Sequence, residues 1–164
     1  MTKQIQQQNG SSPIPALGID LGGTIVDRLE DGSRPQIPKA FENIRLLREK
    51  IFGDNVYIVS RIMKWEDKER LMGWLNNNNF FELTGVLTQN LNFCLLREEK
   101  APICERLGIT HFVDDRPEVL SYMTSVPHRF LIRGIEEDYQ RFKDQLKGVI
   151  RVNSWDEISR ILLS

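Results

Sequence analysis

The run Ala16-Leu17-Gly18-Ile19-Asp20, followed at once by Leu21-Gly22-Gly23-Thr24, restricts the fold more tightly than any other stretch of this chain. A short apolar segment that ends in a carboxylate and a glycine pair is the pattern of a buried parallel strand. Such a strand delivers one acid to the carboxyl edge of a sheet, where open α/β folds place their ligands. Gly22 and Gly23 let the backbone turn sharply and bring N–H groups close to an anion.

The rest of the chain fits that reading. Short apolar runs alternate with longer helical patterns, which predicts a mainly parallel sheet with helices on both faces. The spacing predicts strands over Ala16–Asp20, Val56–Ser60, Phe93–Leu96, His111–Val113, Phe130–Ile132 and Val149–Val152. Helices are expected over Lys39–Lys50, Glu66–Asn77, Glu98–Leu107, Pro117–Met123, Glu136–Leu146 and Trp155–Leu163. Pro102 and Pro117 fall in first turns, Gly108 at a helix stop and Ser154 at an N-cap. Asn76 to Asn79 read as a loop, and Trp74 and Trp155 as core anchors. The fold class is α/β, a three-layer, Rossmann-like, doubly wound parallel sheet in one domain over 16–164. Residues 1–15, rich in Gln, Asn and Ser, are expected to form a disordered leader.

Composition removes several function classes. A net charge of −1 gives no electrostatic footprint for nucleic acid, and no apolar run is long enough to span a membrane. The start of the chain lacks the profile of a secretory signal. Cys94 and Cys104 are not spaced as a metal pair and read as buried reduced thiols, so a cytoplasmic location is expected.

Four positions point to one site. Asp20 closes the first strand, Ser60 the second, Lys100 opens a later helix, and Asp114-Asp115 close the fourth apolar run. In a parallel sheet all four face the same edge. A carboxylate there can act as nucleophile, a hydroxyl can hold phosphoryl oxygens, and an ammonium can neutralise charge. An acidic pair suits Mg²⁺, a hard cation that prefers oxygen ligands. Each residue alone also has a structural reading: Ser60 and Asp114-Asp115 as turn or helix caps, Lys100 as a solvated helix residue.

In these motifs the chain resembles the haloacid dehalogenase superfamily of phosphatases and phosphotransferases, over Leu17 to Leu163. The first family motif, Asp-x-Asp-Gly-Thr followed by x-x-Asp, is matched by Asp20-Leu21-Gly22-Gly23-Thr24-Ile25-Val26-Asp27. Ser60 matches the second motif, Lys100 the third and Asp114-Asp115 the fourth. The resemblance implies that Asp20 is the nucleophile and a metal ligand, with Lys100 steadying it. Ser60, Lys100, Gly23 and Thr24 would bind the phosphoryl group, and Thr24 would support the turn. Asp20, the Gly22 carbonyl, Asp114 and Asp115 would form the Mg²⁺ site.

Gly22 departs from the family pattern, because phosphatases carry a second aspartate there that protonates the leaving group. General acid–base help is worth roughly 10²–10⁴-fold. Asp27, Glu30, Asp31, His111 and His128 offer no convincing substitute. The expected function is therefore a Mg²⁺-dependent phosphatase of reduced activity, working through an aspartyl phosphate. A second reading is a catalytically impaired binding or regulatory module. A third is the phosphate loop of sugar kinases and actin-like ATPases, which Gly18 to Thr24 also resemble, although 164 residues cannot supply two such domains.

The intervals Asp27–Val56 and Ser60–Lys100 are too short for a large cap domain. An open site of this kind goes, in the family, with macromolecular substrates or with oligomers whose neighbours act as lids. The substrate is accordingly a phosphorylated small molecule or macromolecule, and a homo-oligomer fits the open site. Arg61, Trp65 and Arg97 are placed to line the mouth, although a Trp near a helix start more often packs in a core. Asp27 to Gln36 reads either as a small hairpin flap beside Asp20 or as a plain surface connection.

Overall fold

The computed structural model describes residues 13–164 and contains a single six-stranded sheet, parallel throughout. Its strands are β1 (Leu17–Ile19), β2 (Val56–Arg61), β3 (Leu91–Cys94), β4 (His111–Asp114), β5 (His128–Ile132) and β6 (Ile150–Val152). Their spatial order is β3-β2-β1-β4-β5-β6. The chain winds outward from β1 to β3, then crosses back to β4. The strand order therefore reverses between β1 and β4, the position where doubly wound sheets open a crevice at their carboxyl edge.

Helices cover both faces. α1 (Ala40–Leu47), α2 (Asp67–Asn77), α3 (Phe80–Thr84) and α7 (Trp155–Leu163) pack over one face, where Leu17, Ile19, Ile58 and Phe130 meet Ile44, Leu75, Phe80 and Trp155. α4 (Lys100–Leu107), α5 (Pro117–Tyr122) and α6 (Glu136–Phe142) cover the other, around Val59, Phe112 and Leu131. Alternation along β1 explains Gly18. Its neighbours Leu17 and Ile19 point into the first layer, and a side chain at 18 would meet Phe112. A Cβ there would lie 2.5 Å from Phe112 Cδ2, so glycine lets the ring seat against the strand.

Helix punctuation follows the sequence. Ser154 Oγ accepts the Glu157 N–H at 3.2 Å, Pro117 opens α5, and Gly108 closes α4 with a left-handed φ of 67°. Several boundaries differ. β3 starts two residues earlier than predicted because Leu91 to Cys94 pair with Ile58 to Arg61; Leu96 is left exposed. α1 widens after Leu47 into a π-turn that buries Phe52. α6 ends at Phe142 and tightens into a 3₁₀ turn.

α3 has no counterpart in the sequence reading. Asn79 adopts a left-handed φ of 55° before it, and Phe80 is fully buried edge-on to Phe41, with ring centroids 5.3 Å apart. Burial of one aromatic ring thus starts a short helix directly after the asparagine run, whose first two residues close α2 and whose last two form the turn. The expected leader lies outside the described residues except for 13–15, which are exposed. Among the described residues no helix is long and apolar enough to cross a membrane.

Candidate active site

Asp20 continues directly from β1, its N–H donating to Val113 O on β4 at 3.0 Å. It therefore projects at the strand-order reversal, into a cleft of about 330 Å³ that Ser60, Lys100 and Asp115 also line. Lys100 is the first residue of α4 and is almost completely buried. Its Nζ donates to Asp20 Oδ1 at 2.7 Å and to Asp114 Oδ2 at 3.0 Å. Burial opposes its charge, but Asp114 and Asp20 outweigh that and hold the ammonium protonated well above the usual lysine range.

Two carboxylates share this one ammonium, and Asp115 stands beside them. Oxygens of Asp20, Asp114 and Asp115 all lie within 4.8 Å of one another. Burial first, and then the charge of Asp20, push both Asp114 and Asp115 upward from ordinary carboxylate behaviour. The two aspartates of the pair are not equivalent. Asp114 is fully buried and saturated, with Oδ1 accepting the Arg116 N–H at 2.9 Å and Oδ2 accepting Lys100. Asp115 faces the cleft, and its buried Oδ1 has no hydrogen-bond partner among the described residues. The Gly22 carbonyl likewise accepts no backbone hydrogen bond from the described residues. A repelling carboxylate set with an orphaned buried oxygen and a free carbonyl fits a hard divalent cation.

The turn after Asp20 is built by Leu21, whose carbonyl accepts from Thr24, Ile25 and Val26. This leaves the N–H groups of Leu21 and Gly22 without an acceptor among the described residues, and both residues line the cleft. Gly23 has a different role from the one expected. Its N–H is spent on Val26 O at 2.8 Å, and its φ of 78° with no side chain makes room for Asp115. A Cβ at position 23 would lie 2.1 Å from Asp115 Oδ2. Thr24 does not line the cleft. It is fully buried behind the turn, where its carbonyl accepts the Trp155 Nε1–H at 2.8 Å. Ser60 lines the cleft near the end of β2, and its hydroxyl makes no hydrogen bond with the described residues.

Around Gly22 a Cβ would meet nothing within 4 Å, so the missing aspartate is not excluded by crowding. Neither histidine takes its place. His111 and His128 sit at the opposite, amino-terminal ends of β4 and β5, stacked on one another. Asp27 reaches the cleft but is paired with Arg133 at 3.4 Å.

Asp27 to Gln36 forms a small hairpin over the cleft. The Asp27 N–H donates to Pro35 O at 2.8 Å and the Leu29 N–H to Ser33 O at 3.0 Å. Trp74 Nε1 donates to Arg34 O at 2.9 Å and fastens this flap to α2. Of the expected mouth residues, Arg61 and Arg97 line the cleft. Trp65 does not pack in the core: it is 56% exposed on the loop after β2. Arg28, Arg34 and Arg116 also line the cleft, and sequence reasoning missed them. The two flap arginines had a usable signal, because the flap itself was a candidate element. Cys94 and Cys104 are free and buried, as expected.

No protein-family model matches the chain. It is 28% identical over 123 residues to a predicted nucleotidase of Oceanobacillus iheyensis, covering 75% of this chain. The chain spans 59% of that relative's length. Among solved structures, it is similar to D,D-heptose 1,7-bisphosphate phosphatase from Burkholderia thailandensis, with a TM-score of 0.57 and 14% identity. That match covers 91% of this chain and 99% of the phosphatase. At this identity the likeness is one of fold.

Proposed function

We propose that this chain, which has the fold of the haloacid dehalogenase-like phosphatases, hydrolyses phosphate monoesters through a phosphorylated Asp20. The observation that carries the reading is the placement of the Asp20 carboxylate. It lies in a cleft, 2.7 Å from a buried ammonium and beside two N–H groups without acceptors among the described residues. The similarity to a predicted nucleotidase supports a phosphate monoester as the substrate class.

The substrate phosphoryl group is held by the Leu21 and Gly22 N–H groups and the Ser60 hydroxyl, donors that need no reorganisation when charge develops. Lys100 fixes Asp20 and offsets negative charge at the reacting centre. An Asp20 oxygen attacks phosphorus, and the bond from phosphorus to the leaving oxygen breaks. That oxygen leaves with the electron pair. A water molecule then attacks phosphorus, breaking the bond to Asp20 and releasing inorganic phosphate.

Asp20, Asp115 and the Gly22 carbonyl would hold Mg²⁺, with Asp114 behind them anchoring Lys100. When bound, the ion supplies positive charge against the phosphoryl oxygens. With glycine at position 22, the leaving oxygen takes its proton from solvent. Good leaving groups are therefore favoured over sugar or nucleoside alkoxides.

Hydrolysis of 4-nitrophenyl phosphate in Mg²⁺ tests the proposal, with Asp20→Asn as the control. Turnover that disappears in Asp20→Asn is expected; turnover that survives it would overturn the role of Asp20. Gly22 favours one other reading, a binding module without turnover. Thermal stabilisation by Mg²⁺ and phosphate with no hydrolysis of any ester would establish that alternative.

A further inference from the structure

Five of the chain's 14 arginines line the single cleft that holds Asp20. The whole protein has a formal charge of −1, so this concentration of cations is local. The arginines come from three separate loops and the end of β2. Arg28 and Arg34 lie on the flap, Arg61 ends β2, Arg97 precedes α4 and Arg116 precedes α5. Two are partly engaged: Arg61 Nε donates to Leu95 O at 3.2 Å, and Arg97 pairs with Glu118 at 2.8 Å. Arg28, Arg34 and Arg116 have no ion-pair partner among the described residues.

The phosphoryl group at Asp20 does not account for them. Lys100, two backbone N–H groups and the Ser60 hydroxyl already surround that position. Three guanidinium groups without an ion-pair partner among the described residues line one cleft, where an anion would satisfy their donors. Guanidinium groups match the oxygens of phosphate with paired hydrogen bonds, which makes arginine better suited than lysine to a second phosphate. The volume of about 330 Å³ suits a small molecule.

We propose that the substrate is a small molecule bearing a second phosphoryl group, held by Arg28, Arg34 and Arg116 while the first reacts at Asp20. This rests on the phosphatase reading for the reacting end only. Recognition of the second group is a matter of binding and stands apart from turnover. The flap arginines are the selective ones, because Arg34 is fastened through its carbonyl to Trp74 and its side chain is left for the ligand.

Calorimetric binding of adenosine 3′,5′-bisphosphate and adenosine 5′-monophosphate to Asp20→Asn protein in Mg²⁺ tests this. The two probes share a base and sugar, so their difference reports the second phosphate. The bisphosphate is expected to bind about tenfold tighter or more, as one charge-assisted pair would give. That ratio should fall toward one in Arg28→Gln/Arg34→Gln, and remain in Arg45→Gln, whose side chain pairs with Glu49 outside the cleft. Equal binding of the two probes, or a ratio unchanged by the double substitution, would overturn the proposal. A 5′-phosphorylated trinucleotide that binds tighter than the bisphosphate would overturn the small-molecule assignment. If the ratio holds while wild-type protein hydrolyses no ester, the phosphatase reading fails and the second phosphate site stands.

Discussion

The carboxylate of Asp115 occupies the space that a side chain at position 23 would need: an added Cβ would lie 2.1 Å from Asp115 Oδ2. The glycine and the aspartate come from different strand ends, and the switch in strand order brings them together. Gly23→Ala therefore acts twice. Its φ of 78° costs about 1–2 kcal/mol with any side chain present, and the methyl group displaces Asp115. A lower urea midpoint and a smaller rise in Tm on adding Mg²⁺ are both expected. An unchanged Mg²⁺ response would show that Asp115 does not contribute to the cation site.

Gly22 presents the opposite case, with nothing within 4 Å of an added Cβ. Gly22→Asp should fold normally and supply the acid that position 22 lacks. The gain should be large for an alkyl phosphate, about 10²-fold or more, and small for 4-nitrophenyl phosphate. Comparing kcat for the two esters in both proteins checks this. A uniform gain on both would mean that the new carboxylate acts other than as a proton donor.

Lys100 pairs with both Asp20 and Asp114, and nearly all of its surface is buried. Lys100→Met leaves Asp20 and Asp114 facing one another unpaired. A loss of about 3–5 kcal/mol is expected in metal-free buffer. Asp114→Asn in the same chain should recover part of that loss, since the repulsion then involves fewer charges. Urea denaturation of the two single variants and the double variant measures the coupling. Additive losses would show that the two side chains are energetically independent despite their 3.0 Å contact.

The stacked histidines at the far edge of the sheet give a pH dependence. Their rings are 4.4 Å apart, and burial followed by the neighbouring His128 pushes His111 from 6.5 down to about 4. His111 is thus neutral when folded at pH 5, whereas it is protonated in the unfolded chain. Its contribution to stability is complete above pH 6.5 and is lost as the pH falls toward 4. His111→Gln should narrow the drop in Tm between pH 7 and pH 5 relative to wild type. An equal drop in both proteins would assign the acid sensitivity elsewhere.

Much of the fold is legible in the chain because burial on two faces leaves a simple record. β1, β2 and β4 read as apolar runs, and the residues that end them were the ones singled out. α7 was legible to the residue, since Ser154 caps it and its apolar positions recur at helical spacing. α3 was not legible, because the burial of Phe80 against Phe41 is a contact across the first layer. Trp65 departs from its expected core position for a related reason: local position near a helix start says nothing about which way the preceding loop faces.

The α/β class, the strand ends that carry Asp20, Ser60 and Asp114-Asp115, and the lack of an acid at position 22 can all be read along the chain. These depend on periodicity and residue identity, which are local. Packing in three dimensions is what assigns Gly23 to Asp115 and puts Thr24 behind the turn. It alone separates the saturated Asp114 from Asp115 with its orphaned oxygen. It alone gathers arginines far apart in the chain around one cleft. Such features depend on which side chains compete for the same space and hydrogen bonds, and that competition exists only once β1 and β4 lie side by side.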